Sequence, residues 1–389
     1  MRTNQKLKVG LVVPHIFIHR DILPRVIFSP GNLALDLANG LETENVDVTL
    51  FTPVPAATSV QNITADMSYF EQELTLRGDT YIDLLKKHPF TFITLARQVQ
   101  AEIIAKAFKA ANDDKIDIVH IYTNEEDIAL PFAGLCNAPV VFTHHDPFNF
   151  LVKYKNVFPK YKQLNWLALS EAQKAGMPND TNWCATIYHG LNSDRFMFES
   201  NPKGDYIAYL GRIIEPKGVH LAIEAIKHYN ETHSAPIKLK IAGKHYAGHG
   251  KDSYWRETIE PELGQYIEYV GYINDDESKQ DFLGNARALI VPSTFEEPFG
   301  MVTIEALACG TPVIGLNAGA TKEIIRDGHT GFIFDKNNPE LIQQLAETFE
   351  RIDTIDRKKC RNDFESRFTL GVMAKAHKDA YERLASPSR

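Results

Sequence analysis

The chain has 389 residues, 44% of them hydrophobic and 24% charged. That is an ordinary soluble globular mix, but the chain is too long for one core, so two domains of about 150–200 residues are expected. The net charge of −8 argues against a general nucleic-acid binder, which would carry a basic face, and leaves room only for local basic patches. The four cysteines, Cys136, Cys184, Cys309 and Cys360, form no C-x-x-C pair and sit in or near apolar segments. This fits a reduced, cytoplasmic protein in which thiols fill small core gaps.

The opening "MRTNQKLKVGLVVPH" has an apolar run too short for a signal peptide or a membrane span, and it reads as a first strand. No other window reaches the length of a span. Further strands in the first half are expected at "DVTLF", "IDIVHIY", "PVVFTHH", "WLALS" and "ATIYH". Helix-period segments, "NLALDLANGLE", "FTFITLARQVQAEIIAKAFKAAND" and "EDIALPFAGLC", fall between several of them. Apolar strands separated by helices predict a parallel α/β sheet.

The pattern restarts near residue 205, with strands at "DYIAYLG", "IKLKIAG", "IEYVG", "ALIVPS", "PVIGL" and "GFIF". Helices are expected at "GVHLAIEAIKHYN", "ESKQDFLGNARA" and "GMVTIEALACG". The polar, Pro/Gly-containing stretch "DRFMFESNPKGDY" suits a linker, so the domains are placed at 1–200 and 201–370, with a final amphipathic helix over 371–389. In open α/β sheets ligands bind at the carboxyl ends of strands, so residues just after strands carry the functional information.

"YLGRIIEPKG" follows the first strand of the second half. Gly211 permits a tight turn, and Arg212 and Lys217 flank a loop that ends where a helix begins. Two cations beside a helix start suit a diphosphate; the plain alternative is a surface turn with two solvated charges. "PSTFEEPFGMVTIEALACG" also follows a strand. Gly300 lets a ligand approach the backbone, and the amides of Phe299, Gly300 and Met301 at the helix start suit a phosphate. Glu297 and Glu305 can each accept two hydrogen bonds and so suit a vicinal diol, of a ribose or a hexose. A helix-end charge plus a surface glutamate would explain Glu305 poorly, because the helix around it is small and apolar.

In "PVVFTHHDPF", His145 or its neighbour His144 would project from a strand end, where it could bond a substrate hydroxyl or simply be a satisfied loop histidine. "GKHYAGHGKD" places His245 and His249 in a Gly-rich loop without a third ligand, which reads as a mobile loop beside a nucleotide and not as a zinc site. No metal site is expected, since no Asp-x-Asp occurs in the chain. Residues 148–166, "FNFLVKYKNVFPKYKQLNW", interleave lysines with aromatics and could touch an anionic acceptor or a membrane surface, or be an ordinary solvated segment.

Taken together, "GRIIEPKG", then "EEPFGMVTIEALACGTPVI", then "GATKEIIRDGHTGFIF" resemble the family 4 retaining glycosyltransferases of the GT-B fold. The match is strong over 205–340 and weaker in the first half, where "DLANGL", "PVVFTHHD", "LALSEAQ" and "IYHGLNSDRF" carry it. The resemblance implies two Rossmann-like domains with a cleft between them and a C-terminal helix crossing back to the first. It implies that Arg212 and Lys217 hold the donor diphosphate, Glu297 the transferred sugar, Glu305 the ribose, and the backbone after Pro-Phe-Gly the distal phosphate. His145, and not His144, falls on the family's Thr-x-His pattern.

The family's Gly-Gly turn before the first helix falls here on Phe28 and Ser29, so only Gly31 supplies a glycine near the donor phosphates, and the acceptor cannot be carried over. The implied activity is retaining, metal-independent transfer of a hexose from a nucleoside-diphosphate sugar to a hydroxyl, with no cofactor. UDP is the expected carrier, ahead of GDP or ADP. A nucleotide-sugar 2-epimerase of the same fold and a non-catalytic nucleotide-sugar binder are the alternatives. Acceptor, hexose and oligomeric state are not written in the residues.

Overall fold

A computed structural model describes residues 6–22, 28–123, 125–245 and 252–386. The chain divides into two compact units, Met1–Leu169 with Lys174–Ile187 and Leu370–Arg389, and Ser170–Gln173 with Tyr188–Thr369.

The first unit is built on a seven-stranded parallel sheet of β1 (Lys8–Val12), β2 (Asp47–Thr52), β3 (Gln61–Thr64), β4 (Ile118–Ile121), β5 (Val140–Thr143), β6 (Asn165–Ala168) and β7 (Trp183–Thr186), in the order β3-β2-β1-β4-β5-β6-β7. The central strands are apolar on both faces because helices cover both. The long helix Pro89–Asn112 starts on a proline, whose missing N–H costs nothing in a first turn, and lays Val99, Ile103, Ala107 and Ala111 into the core at helical spacing. Near β5 and β6 the core is aromatic: Phe142, Phe148, Phe158 and Trp166 are buried together, and the Trp166 indole N–H donates to the Tyr161 carbonyl at 3.0 Å.

The second unit holds a six-stranded parallel sheet of β8 (Tyr206–Leu210), β9 (Lys238–Ala242), β10 (Ile267–Gly271), β11 (Ala288–Val291), β12 (Val313–Leu316) and β13 (Gly331–Phe334), in the order β10-β9-β8-β11-β12-β13. Read from its own first strand, this is the order of the first sheet without the last edge strand. Both units are therefore doubly wound, with the order reversing between β1 and β4 in one and between β8 and β11 in the other.

Two expectations change, and one stretch holds elements that were not foreseen. "EDIALPFAGLC" is not an α-helix but two 3₁₀ turns, Glu126–Ile128 and Leu130–Leu135, because Pro131 cannot continue an i→i−4 ladder from the first turn. The edge strand β3 and the helices Ser68–Arg77 and Tyr81–Lys87 lie in a stretch too polar to show as strand or helix by periodicity. The domain boundary expected at 200 falls at 187/188. Arg195 holds Asp276 at 2.7 and 3.0 Å, and Arg361 and Arg357 donate to the carbonyls of Phe196 and Glu199 at 2.6 and 2.7 Å. The supposed linker is thereby tied into the second unit. The helix Leu370–Ala385 groups with the first, where Lys378 donates to the Glu44 carbonyl at 2.8 Å. No helix among the described residues is long and apolar enough to cross a membrane.

Candidate functional site

In the second unit, the loops after β8 and β11 meet where the strand order reverses. Both converge on one carbonyl: Pro216 accepts from the amides of Thr294 and Phe295 at 3.0 and 3.2 Å. Gly218 ends the first loop at φ 71°, and a Cβ there would lie 2.0 Å from the Pro292 carbonyl oxygen. Only glycine allows both that backbone conformation and that approach. The sequence showed Gly218 as a helix start; its closeness to Pro292 is a property of the fold.

This locking brings Lys217 Nζ into a direct ion pair with Glu297 Oε1, and Ser293 Oγ lies 3.3 Å from the same oxygen. Lys217 also lies over the Phe295 ring at 5.7 Å. The Glu297 backbone is held from the far side, where its carbonyl accepts from the Ala320 amide at 2.9 Å. Gly319 (φ 54°) passes so close that a Cβ would sit 2.3 Å from the Glu297 carbonyl oxygen. The adjacent Glu296 faces elsewhere, taking hydrogen bonds from the Gly319 amide at 2.6 Å and Lys336 Nζ at 2.5 Å. Of two neighbouring carboxylates, only Glu297 is aimed at Lys217.

Arg212 is exposed, and its carbonyl accepts from the Tyr209 hydroxyl at 2.8 Å, which fixes the turn after Gly211. Gly300 caps the helix Met301–Ala308 at φ 104°. The first amides of that helix have no intrahelical acceptor. The Phe299 side chain is buried against His189 and Phe368 and anchors this start. Glu305 lies one turn on, with its side chain 10% exposed and Oε1 accepting from Lys279 Nζ at 3.0 Å. Lys279, which lies on another helix, Asp276–Gly284, was not among the residues the motifs singled out. Nor did the motifs pair Lys217 with Glu297.

In the first unit the two candidate histidines part company. His144 is fully buried, its Nδ1 lies 3.2 Å from both Glu126 oxygens, and its ring is enclosed by Phe148, Tyr154 and Phe158. Burial pulls His144 down to about 4 and raises Glu126 well above the usual carboxylate range. His145 is half-buried, with its ring edge-on to Tyr122 at 4.7 Å. Gly31 lies in the first turn of the helix Ser29–Thr43, where a Cβ would come within 3.0 Å of the Phe28 ring.

The loop beyond β9 is better anchored at its start than the glycines suggest. His245 Nδ1 is 2.7 Å from Asp252 Oδ2, and its ring stacks on Trp255 at 4.3 Å. His249 lies outside the described residues. In 148–166, Lys153 pairs with Asp127 at 3.2 Å and Lys162 with Asp180 at 2.5 Å, while Phe150, Leu151 and Val152 are exposed. Among the described residues no group of three or more His, Cys, Asp or Glu side chains could hold a metal ion. Burial pushes the Cys309 and Cys360 thiols up to about 12, as expected of core fillers.

Comparison with known proteins agrees with the fold. Residues 192–366 match the glycosyl transferases group 1 family. A putative glycosyltransferase, YtcC, of Bacillus subtilis is 21% identical over 76% of this chain and 79% of its own. Among solved structures, sucrose-phosphate synthase from Thermosynechococcus elongatus superposes with a TM-score of 0.73 at 18% identity, covering 98% of this chain and all of that one. Anabaena Alr3699/HepE, solved with UDP and glucose, gives 0.66 at 16% identity, covering 97% of this chain and all of that one. The fold is GT-B, and the chain is related to the group 1 glycosyl transferases through its second unit.

Proposed function

We propose that this GT-B glycosyltransferase moves a hexose from a nucleoside-diphosphate sugar, UDP foremost, to a hydroxyl acceptor, with retention at the anomeric carbon and without a metal ion. The observation that carries the reading is the Lys217–Glu297 pair at the reversal of strand order, beside the helix start at Gly300. Breaking the bond between the anomeric carbon and the phosphate oxygen leaves positive charge on the ring and negative charge on the diphosphate. Lys217 Nζ can stabilise the second while fixing the carboxylate that meets the sugar. Arg212 adds a second cation, and the free amides at Gly300 receive the outer phosphate.

Glu305 is assigned to the ribose, and His145 keeps the hexose-orienting role that the resemblance gives it. UDP as carrier is supported by the likeness to HepE, whose structure holds UDP. The exposed Phe150, Leu151 and Val152 beside lysines support an acceptor-side contact with an anionic surface. The direct test is a donor-hydrolysis screen over UDP-, GDP- and ADP-sugars, which needs no acceptor. Release of a free nucleoside diphosphate with an α-configured sugar from an α-linked donor is expected; an isomerised intact donor would overturn the reading.

Two expected results follow from the assignment. Chelation with EDTA should leave donor turnover within about twofold, because two cations stand where a metal would neutralise charge; a strict need for magnesium or manganese would sink this mechanism. Glu305→Ala should weaken free nucleoside-diphosphate binding about tenfold or more, the loss of charge-assisted hydrogen bonds. Glu297→Ala should spare that binding and damage turnover. Calorimetry showing the opposite split would reverse the two roles.

A further inference from the structure

The Glu305 carboxylate is nearly enclosed on a helix that cannot move it far, and only one of its oxygens is engaged. Oε1 accepts from Lys279 Nζ at 3.0 Å, while Oε2 has no hydrogen-bond partner among the described residues. Lys279 is itself held. It projects from the helix Asp276–Gly284, whose first turn is fixed by Asp275 accepting from the Ser278 amide at 2.8 Å and by the Arg195–Asp276 pair at 2.7 Å. Its side chain is 24% exposed, so this is a partly desolvated pair and not a loose surface contact. Without that cation the carboxylate would be free to turn toward water. That change would spoil it as an acceptor for a diol.

We propose that Lys279 is the positioning residue for the nucleotide's ribose: by holding Oε1 it fixes the Glu305 carboxylate and presents Oε2 to the ribose hydroxyls. This rests on the assignment of Glu305 to the ribose. It makes the Lys279–Glu305 pair the element that separates ribonucleotides from deoxyribonucleotides, whichever base the donor carries. Support from a second residue of this kind is what holds a binding group in its working geometry.

The test measures calorimetric dissociation constants for UDP, GDP and ADP, and for the 2′-deoxy counterpart of the tightest binder. The wild type should prefer the ribonucleotide by about tenfold. Lys279→Met should reduce that preference to about twofold or less, and Lys279→Arg should restore most of it. Lys279→Met with Glu305→Ala should bind no worse than Glu305→Ala alone, since both changes remove one interaction. A merely structural pair would lower the melting temperature of Lys279→Met and leave the ribose preference intact, which would overturn the proposal. If Glu305→Ala itself keeps the preference, or if the wild type binds none of the three diphosphates, the ribose assignment falls and the role of Lys279 falls with it.

Discussion

Arg212→Ala and Lys217→Ala should each lower donor turnover by about 10²–10³, roughly 2.7–4 kcal/mol of transition-state stabilisation. The loss should be smaller in donor affinity than in turnover, because the diphosphate gains negative charge only as the glycosidic bond breaks. The structure separates the two residues in one respect. Arg212 is exposed, so its removal takes away a charge and little else. Lys217 is paired with Glu297, so its removal also leaves that carboxylate without a counter-charge and free to turn. Lys217→Ala should therefore be the worse of the two, and Lys217→Arg should recover part of the loss. The double variant should lose less than the sum, since both residues act on one group. Single-turnover rates and donor dissociation constants decide the matter. Near-wild-type rates in both single variants would leave two solvated charges on a turn, where effects on stability of about 0.5 kcal/mol or less are usual.

Acid should unfold the first unit before the second. His120 and His377 are fully buried there, and their partners are uncharged: the Tyr381 and Thr143 hydroxyls at 2.6 and 2.8 Å for His120, and the Met373 carbonyl at 2.9 Å for His377. Burial pulls His377 down to about 4 and His120 well below its ordinary value. In the unfolded chain both bind a proton near pH 6.5, whereas in the folded unit they do not. The unfolded state therefore holds more protons as pH falls from about 6.5 to about 4, and stability is lost over that window. For His377 alone the depression corresponds to about 3 kcal/mol.

Hydrogen exchange read by mass spectrometry at pH 7, 5.5 and 4.5 should show protection lost first in peptides from 118–143 and 370–385. His377→Gln, which keeps a donor for the Met373 carbonyl, should move that loss to lower pH. Simultaneous loss of protection in both units would refute the assignment of the acid limit to these two histidines.

The alternation of apolar strands and helix-period segments made both sheets legible, and the loops after β8 and β11 were found because ligands gather at strand ends. What failed had local causes. A run with helical spacing became 3₁₀ turns because one proline outweighed its pattern. A polar linker proved to be structured because arginines far along the chain, Arg357 and Arg361, bind its carbonyls, and backbone carbonyls leave no trace in side-chain identity. The candidate site residues showed as types and spacings, but their pairing did not. Lys217 with Glu297 and Lys279 with Glu305 depend on which loops the sheet order makes neighbours. The enclosure of His144 by aromatic rings likewise shows only in the fold.

The first unit is assembled from both ends of the sequence, and this has a consequence for how the chain acquires its structure on the ribosome. Residues 188–369 can form their sheet as soon as they have emerged. The earlier 187 residues cannot finish theirs, because the helix Leu370–Ala385 supplies the Tyr381 hydroxyl that bonds His120 and the side chains that cover that face of β4. Until that helix is made, the His120 imidazole lacks one of its two partners and an apolar face stands open. The nascent first unit is then the part a chaperone would be expected to hold, although it is synthesised first.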